Sequence, residues 1–302
     1  MLDLAIIGAG IAGMTAAIYA SRKRMDFVLL SKTKGGQFME SGEVLNYPGI
    51  KKTTGAEFEK LMEDQLKFNN VELKFPETVS KIEKIGDNFK IISDKGEYEA
   101  RAVILTTGAR PRELNVPGEK EYKNKGVTYC AVCDGPLFAD KEVAVIGGGD
   151  SALEAVDFLL NIAKKIYLIN LTEELKAHEY LQERISGHEK VEVINNASTT
   201  EIIGDGKTVT GIKYKQGDEE KEISIQGVFV EIGRVPNTDF LEGFIELDEH
   251  KHIKIDEWCY ASQEGVFAAG DCSSVHEYQY VIAAGQATIA LLKAARYLAK
   301  KK

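Results

Sequence analysis

The chain has 302 residues, of which 28% are charged and 44% hydrophobic, and a formal net charge of −9. That describes an ordinary globular protein of about two domains and excludes a nucleic-acid binder, which needs a basic face. No apolar run reaches the roughly 20 residues that cross a bilayer, and no basic leader precedes the first strand, so a cytoplasmic protein without membrane contact is expected.

In chain order, Leu4-Ala5-Ile6-Ile7 reads as a buried strand. "GAGIAG" follows (Gly8, Gly10, Ala12, Gly13), then a helical pattern through Tyr19 and a return strand, "DFVLLS". "EFEKLMEDQLK", Glu57 to Lys67, has the charge spacing of a helix with an exposed face. "TYCAVCDGPLF", Thr128 to Phe138, places Cys130 and Cys133 two residues apart with Asp134 next. Val143-Ala144-Val145-Ile146 then opens a second unit with "GGGDSA" (Gly147, Gly149, Asp150, Ser151, Ala152), a helical pattern from Leu153 to Ile162 and the strand "KIYLIN". A β-rich stretch follows, with hairpin turns at "GDGK" and "KQGDEE". "GVFAAGDC" ends a further strand in Gly270-Asp271, ahead of a helical pattern from Val281 to Leu298.

The two strand–glycine turn–helix–strand units are dinucleotide-binding fingerprints. The first glycine makes the tight turn, the second lets backbone approach a pyrophosphate, and the third small residue lets helix pack on strand. The free N–H groups of the helix start then face the phosphates. The expected fold is α/β, two nested Rossmann-like three-layer domains with small antiparallel β-sheets. Residues 1–112 and 240–302 should form one domain and residues 113–239 the other, inserted into it.

Four cysteines are too few for a secreted disulfide scaffold, so the close pair is redox-active or metal-binding. A zinc site made with Cys259 and Cys272 fits poorly, because those two lie thirteen apart and Cys272 sits inside "AAGDC". The five histidines show no metal-binding spacing; His250 and His252 read as a solvated turn, and no metal is expected.

These motifs, with "KGGQ" (34–37), "NYPG" (46–49), "TTGARP" (106–111), "GVFVEIGRVPNT" (227–238) and "AAGQATIALLKAARYL", resemble the low-molecular-weight thioredoxin reductase family over essentially the whole chain. The resemblance implies a homodimer with one FAD per protomer, reducing thioredoxin or a thioredoxin-like protein. It implies that FAD lies along Gly8, Gly10, Ala12, Gly13, Gly35, Gly36, Gln37, Asn46, Thr107, Gly108, Ala109, Gly270, Asp271 and Gln279. It makes Cys133 the sulfur facing the flavin, Cys130 the attacker of the partner disulfide, and Asp134 the proton handler. It also implies that the inserted domain alternates between two orientations, with hinges near 112–117 and 235–240.

The chain departs from the family pattern at the second nucleotide site. Where the family has a His-Arg-Arg cluster for the 2′-phosphate of NADPH, this chain has "INLTEELKA", Ile169 to Ala177. Asn170, Leu171 and Thr172 are neutral, Glu173 and Glu174 repel phosphate, and Lys176 alone keeps a positive charge. The pattern disfavours NADPH and leaves NADH, held by Gly147, Gly149, Asp150, Ser151, Ala152, Asn170, Lys176 and Gly233. Reduced ferredoxin or a deazaflavin is the alternative donor, and a non-catalytic redox sensor the alternative function. Tyr278 and Tyr280 replace a family arginine and its surroundings; they pack on flavin or partner, or simply at the helix entry.

Overall fold

The chain divides into two units, Met1–Arg110 with Val235–Lys302, and Pro111–Arg234. The computed structural model describes residues 1–40, 43, 44 and 46–301, with the backbone alone described at 39, 40, 43 and 133.

The first unit is built on one sheet in the order Leu73–Lys74, Phe27–Leu30, Leu2–Ile7, Glu97–Leu105, Asn88–Ser93, Val79–Ile85. Leu2–Ile7 is parallel to both neighbours. Glu97–Leu105 serves two partners along one edge. Its start carries the antiparallel hairpin (Phe89 opposite Ala100), and its end carries Val266–Ala268 in parallel (Val266 opposite Val103). Successive side chains of Leu2–Ile7 serve opposite faces. Leu4 and Ile6 join the core under the helices Ile11–Arg22 and Tyr280–Lys300, whereas Ala5 and Ile7 pack with Val79, Ile82, Phe89 and Ile91. Burial on both faces explains why this strand is apolar throughout. The two helices meet through small residues: Ala283, Ala287, Ala290 and Ala294 recur every three or four positions and share a core with Ala12, Ala16, Ala17 and Ala20.

The helix Gly55–Phe68 starts on a reciprocal cap. Glu57 N–H donates to Thr54 Oγ1 (3.2 Å), and Thr54 N–H donates to Glu57 Oε2 (2.9 Å). Phe58, Met62 and Leu66, four residues apart, are its buried stripe.

The second unit has a parallel sheet in the order Val127–Thr128, Gly227–Val230, Glu142–Ile146, Lys165–Ile169, Val191–Ile194. Val143, Val145, Ile166, Leu168 and Phe229 face the helices Asp150–Leu159 and Glu179–Ile185. Ala144, Ile146, Ile169, Val228 and Val230 face an antiparallel meander, Ala197–Gly204, Val209–Gln216 and Glu219–Ser224. The meander turns at the two glycine-containing segments read from the sequence, giving three layers.

The chain crosses between units at 110/111 and 234/235. The second crossing lies five residues before the boundary expected from the sequence, because residues 237 and 238 are tied into the first unit. Asn237 Nδ2 donates to the Thr107 carbonyl (2.9 Å), and Thr238 Oγ1 to the Lys251 carbonyl (2.7 Å). Among the described residues no helix is long and apolar enough to cross a membrane.

Candidate active site

In the first unit, the glycine turn after Leu2–Ile7 separates two kinds of glycine. Gly8 has φ +110°, and a Cβ there would stand 2.2 Å from the Thr106 carbonyl oxygen. At Gly13 a Cβ would stand 1.7 Å from the Gly8 carbonyl oxygen, so the chain's own packing requires both. Gly10 is different: its backbone is extended (φ −79°, ψ −170°), and a Cβ would meet nothing within 4 Å. Among the described residues no protein contact demands glycine there, and the space beside it is open to the close approach of a ligand. Several other residues assigned to this cofactor lie close to this turn or to one another. Gly35 N–H donates to the Ala9 carbonyl (3.2 Å), and a Cβ on Gly36 would lie 3.2 Å from Gly10 Cα. Gln37 Nε2 donates to the Ala109 carbonyl (2.7 Å), next to the left-handed turn at Gly108. A Cβ on Gly270, beside Asp271, would lie 3.3 Å from Ala12 Cβ. Asn46 Nδ2 donates to Gln279 Oε1 (3.0 Å). These contacts make a pre-formed cradle whose open glycine turn has the form a dinucleotide cofactor requires.

The second unit repeats the device. Gly147 (φ +141°) cannot take a Cβ, which would stand 2.2 Å from the Glu231 carbonyl oxygen and 2.9 Å from Ala152. Gly149, extended at φ −98° and ψ −174°, again opens on empty space. The loop after Lys165–Ile169 folds over this turn: Lys176 N–H donates to the Gly148 carbonyl (2.6 Å) and His178 N–H to Asp150 Oδ1 (2.7 Å). Ser151 is exposed at the helix start, and Gly233 is exposed with its carbonyl bonded to Arg112 N–H (2.9 Å). Asn170, assigned from sequence to the ribose, is 3% exposed. Its Nδ2 donates to the carbonyls of Thr172 (2.9 Å) and Glu174 (3.1 Å) and to Asn195 Oδ1 (3.0 Å). Its amide holds the loop together. Leu171, by contrast, is 72% exposed, and Lys176 is exposed as well.

The cysteine motif lies in the second unit. Cys130 is disulfide-bonded, whereas Cys259 and Cys272 are free thiols. The Cys133 side chain lies outside the described ones. Ala131–Asp134 forms a single helical turn closed by Asp134 N–H to the Cys130 carbonyl (3.1 Å). The Asp134 carboxylate accepts a short hydrogen bond from Thr128 Oγ1, which itself accepts from Cys130 N–H (3.3 Å). Burial pushes the Cys259 thiol up to about 11 and raises Cys272 too, so both stay protonated and inert.

Two features escaped the sequence. Glu231, one residue past the strand Gly227–Val230, accepts from Ala131 N–H (3.3 Å) inside the Cys-x-x-Cys turn. Burial pushes its carboxyl up to about 7, while the Ala131 bond and Arg234 pull the other way. A carboxyl at the carboxyl end of a parallel strand is a position that could have been flagged. The second is His252. The solvated turn expected at His250–His252 fails there, because His252 is 2% exposed. The isolated bridge between Ile253 and Ser273 carries it into contact with His276, ring centroids 4.4 Å apart. Tyr280 serves the helix entry: its ring packs on Phe38 (5.1 Å) and Phe58 (5.8 Å), and its hydroxyl donates to the Gln37 carbonyl (3.0 Å).

Residues 2–296 match the family described as pyridine nucleotide-disulphide oxidoreductase. The "NADH dehydrogenase" of Bacillus subtilis (strain 168) is 41% identical over 299 residues, 98% of this chain and 58% of that protein. An alkyl hydroperoxide reductase component of Escherichia coli (strain K12) is 39% identical over 306 residues, 99% of this chain and 59% of that protein. The chain thus spans less than two thirds of the length of either relative. The crystal structure of thioredoxin reductase from Streptococcus pyogenes, 35% identical, matches with a TM-score of 0.83 over 99% of both chains. With nearly its whole length matched in sequence and in fold, the chain belongs to the pyridine nucleotide-disulphide oxidoreductases, an FAD-binding family, on their thioredoxin reductase-like side.

Proposed function

We propose that this chain is a flavin-dependent disulfide reductase that takes electrons from NADH and passes them, through FAD and the Cys130/Cys133 pair, to a disulfide of a thioredoxin-like protein. The observation that carries the reading is a bonded Cys130 in the same unit as an open nucleotide cradle at Gly149. Bound FAD supplies two-electron transfer between a nicotinamide and a disulfide. In the net reaction, NADH, a proton and the partner disulfide become NAD⁺ and the partner dithiol. The Cys130/Cys133 bond breaks when it receives two electrons and two protons, and it re-forms when the dithiol exchanges with the partner disulfide.

In this scheme Cys130 attacks the partner and Cys133 faces the flavin. Asp134, oriented by Thr128, exchanges protons with the sulfurs. Glu231 steadies the turn that carries them through the Ala131 N–H. Hinges near 112–117 and 235–240, next to the chain crossings at 110/111 and 234/235, would let one unit bring either the nucleotide or the thiol pair to the flavin.

The choice of NADH rests on the loop at Gly149. A 2′-phosphate would meet neutral Leu171 and the carboxylates of Glu173 and Glu174, without the two or three charge-assisted bonds of roughly 1.5–3 kcal/mol each that bind it elsewhere. The Bacillus relative's name, NADH dehydrogenase, supports the same coenzyme. The Escherichia relative is part of an alkyl hydroperoxide reductase, which makes a thiol protein of a peroxide-reducing system the second candidate acceptor. Anaerobic reduction of the FAD-loaded protein by NADH and NADPH in parallel tests the reading. Fast reduction by NADPH at micromolar concentration would overturn the coenzyme choice. Reduction by neither would point to ferredoxin or a deazaflavin.

A further inference from the structure

We propose that Asp248, His252 and His276 form a binding site for a divalent transition-metal ion of the zinc class. Each offers one ligand atom, and these atoms lie within 4.8 Å of one another. The proposal does not depend on the coenzyme or the acceptor.

The geometry is that of a ligand set already in place. Asp248 Oδ1 accepts from the N–H groups of His250 (2.9 Å) and His252 (2.8 Å), which fixes the carboxylate. Its other oxygen, Oδ2, lies 3.1 Å from His276 Nε2. His252 Nδ1 is buried, and among the described residues it makes no hydrogen bond of ordinary geometry, its nearest polar neighbour being Asp248 Oδ1 at 3.5 Å. Two ligand atoms bound tetrahedrally to one zinc, with bonds near 2.0–2.1 Å, sit about 3.3 Å apart. Each imidazole nitrogen lies near that distance from one of the two carboxylate oxygens, and with one ligand atom taken from each residue the three lie within 4.8 Å of one another, so a bound ion would draw them slightly closer.

His252 supplies the observation that points to a ligand. Its side chain is 3% exposed, so water does not satisfy Nδ1. Its other ring nitrogen, Nε2, lies 2.9 Å from the Tyr278 hydroxyl. A metal-binding imidazole is typically held in this way, one nitrogen tied to a polar partner and the other presented to the ion. His276 closes the set from the outside with a side chain 43% exposed, leaving that side open for entry and for a fourth ligand from solvent.

The donors define the class of ion. Two imidazoles and a carboxylate suit zinc and its first-row neighbours, whereas calcium and magnesium prefer all-oxygen sets. The placement suggests what the ion would do. Ile253 N–H donates to the Cys272 carbonyl (2.8 Å), so the 248–252 turn already rests on the segment that follows Gly270-Asp271. An ion held by both segments would brace that connection just ahead of Gln279 and the last helix.

The test is calorimetric titration of untagged, FAD-loaded, chelator-treated protein with zinc chloride. The Cys130 disulfide is kept oxidised so that its thiols cannot compete. Wild type should bind one zinc ion per chain saturably, and calcium should give no binding. His276→Ala, at a half-exposed position, should bind zinc at least tenfold more weakly while keeping its FAD. Asp248→Asn should do the same, and serves if the first variant loses its fold. Absence of saturable zinc binding by wild type overturns the proposal, as does wild-type affinity in either folded variant.

Discussion

Gly149→Ala separates the nucleotide's needs from the protein's. The backbone at Gly149 lies in a region open to any residue, and an added Cβ meets nothing within 4 Å. Alanine is the poorer residue at the start of a helix, by up to about 1 kcal/mol. Against that, the unfolded chain loses freedom, which returns about 0.4–1 kcal/mol. Net stability should stay within about 1 kcal/mol of wild type. A bound pyrophosphate would meet the new methyl group at its closest approach to the helix start. Losing one charge-assisted bond of roughly 1.5–3 kcal/mol weakens NADH by roughly 10- to 150-fold. The assay is anaerobic flavin reduction against NADH concentration, with thermal unfolding in parallel. Gly147→Ala is the contrast, because its Cβ would stand 2.2 Å from the Glu231 carbonyl oxygen and should cost stability outright. An NADH dependence within twofold of wild type in Gly149→Ala would refute the assignment. Destabilisation as severe as that of Gly147→Ala would refute the packing argument.

Three further outcomes are expected. Glu231, raised by burial to about 7 from 4.5, keeps its proton in the folded state over a range where the unfolded chain has lost it. Its contribution is therefore fully present below pH 4.5 and gone above pH 7, a difference of about 3 kcal/mol; Glu231→Gln should raise stability to urea at pH 8 and change it little at pH 4, and equal effects at both would contradict this. Cys130→Ser should lose turnover of a protein disulfide while NADH still reduces its flavin, checked by rapid mixing; retained turnover would remove the attacking role. Leu171→Arg with Glu173→Arg should improve NADPH use at least tenfold in kcat/KM, since arginine matches phosphate geometry and Leu171 is exposed; Asn170 is left in place because its amide holds the loop.

Both glycine turns were legible because their physics is local: a strand, a steric turn and a helix start, all within about fifteen residues. The meander was legible from its two turns. What was hidden depends on contacts distant in sequence. Asn170 looked like a ribose contact at a strand end, but a Cβ on Gly148 would stand 2.1 Å from its Oδ1, so it belongs to the loop's packing. His252 follows a lysine in a charged stretch, and only its pairing near Ser273 buries it. Glu231 reads as one more acid until the Cys-x-x-Cys turn is seen beside it.

The most direct test of the electron route is a stoichiometric anaerobic titration of FAD-loaded protein with NADH, following flavin absorbance and free thiols together. The account predicts that flavin bleaching is accompanied by release of the Cys130 disulfide as titratable thiols, and that a thioredoxin-like disulfide protein then reverses both. Bleaching with no new thiols, or thiols that no partner disulfide reoxidises, would contradict it.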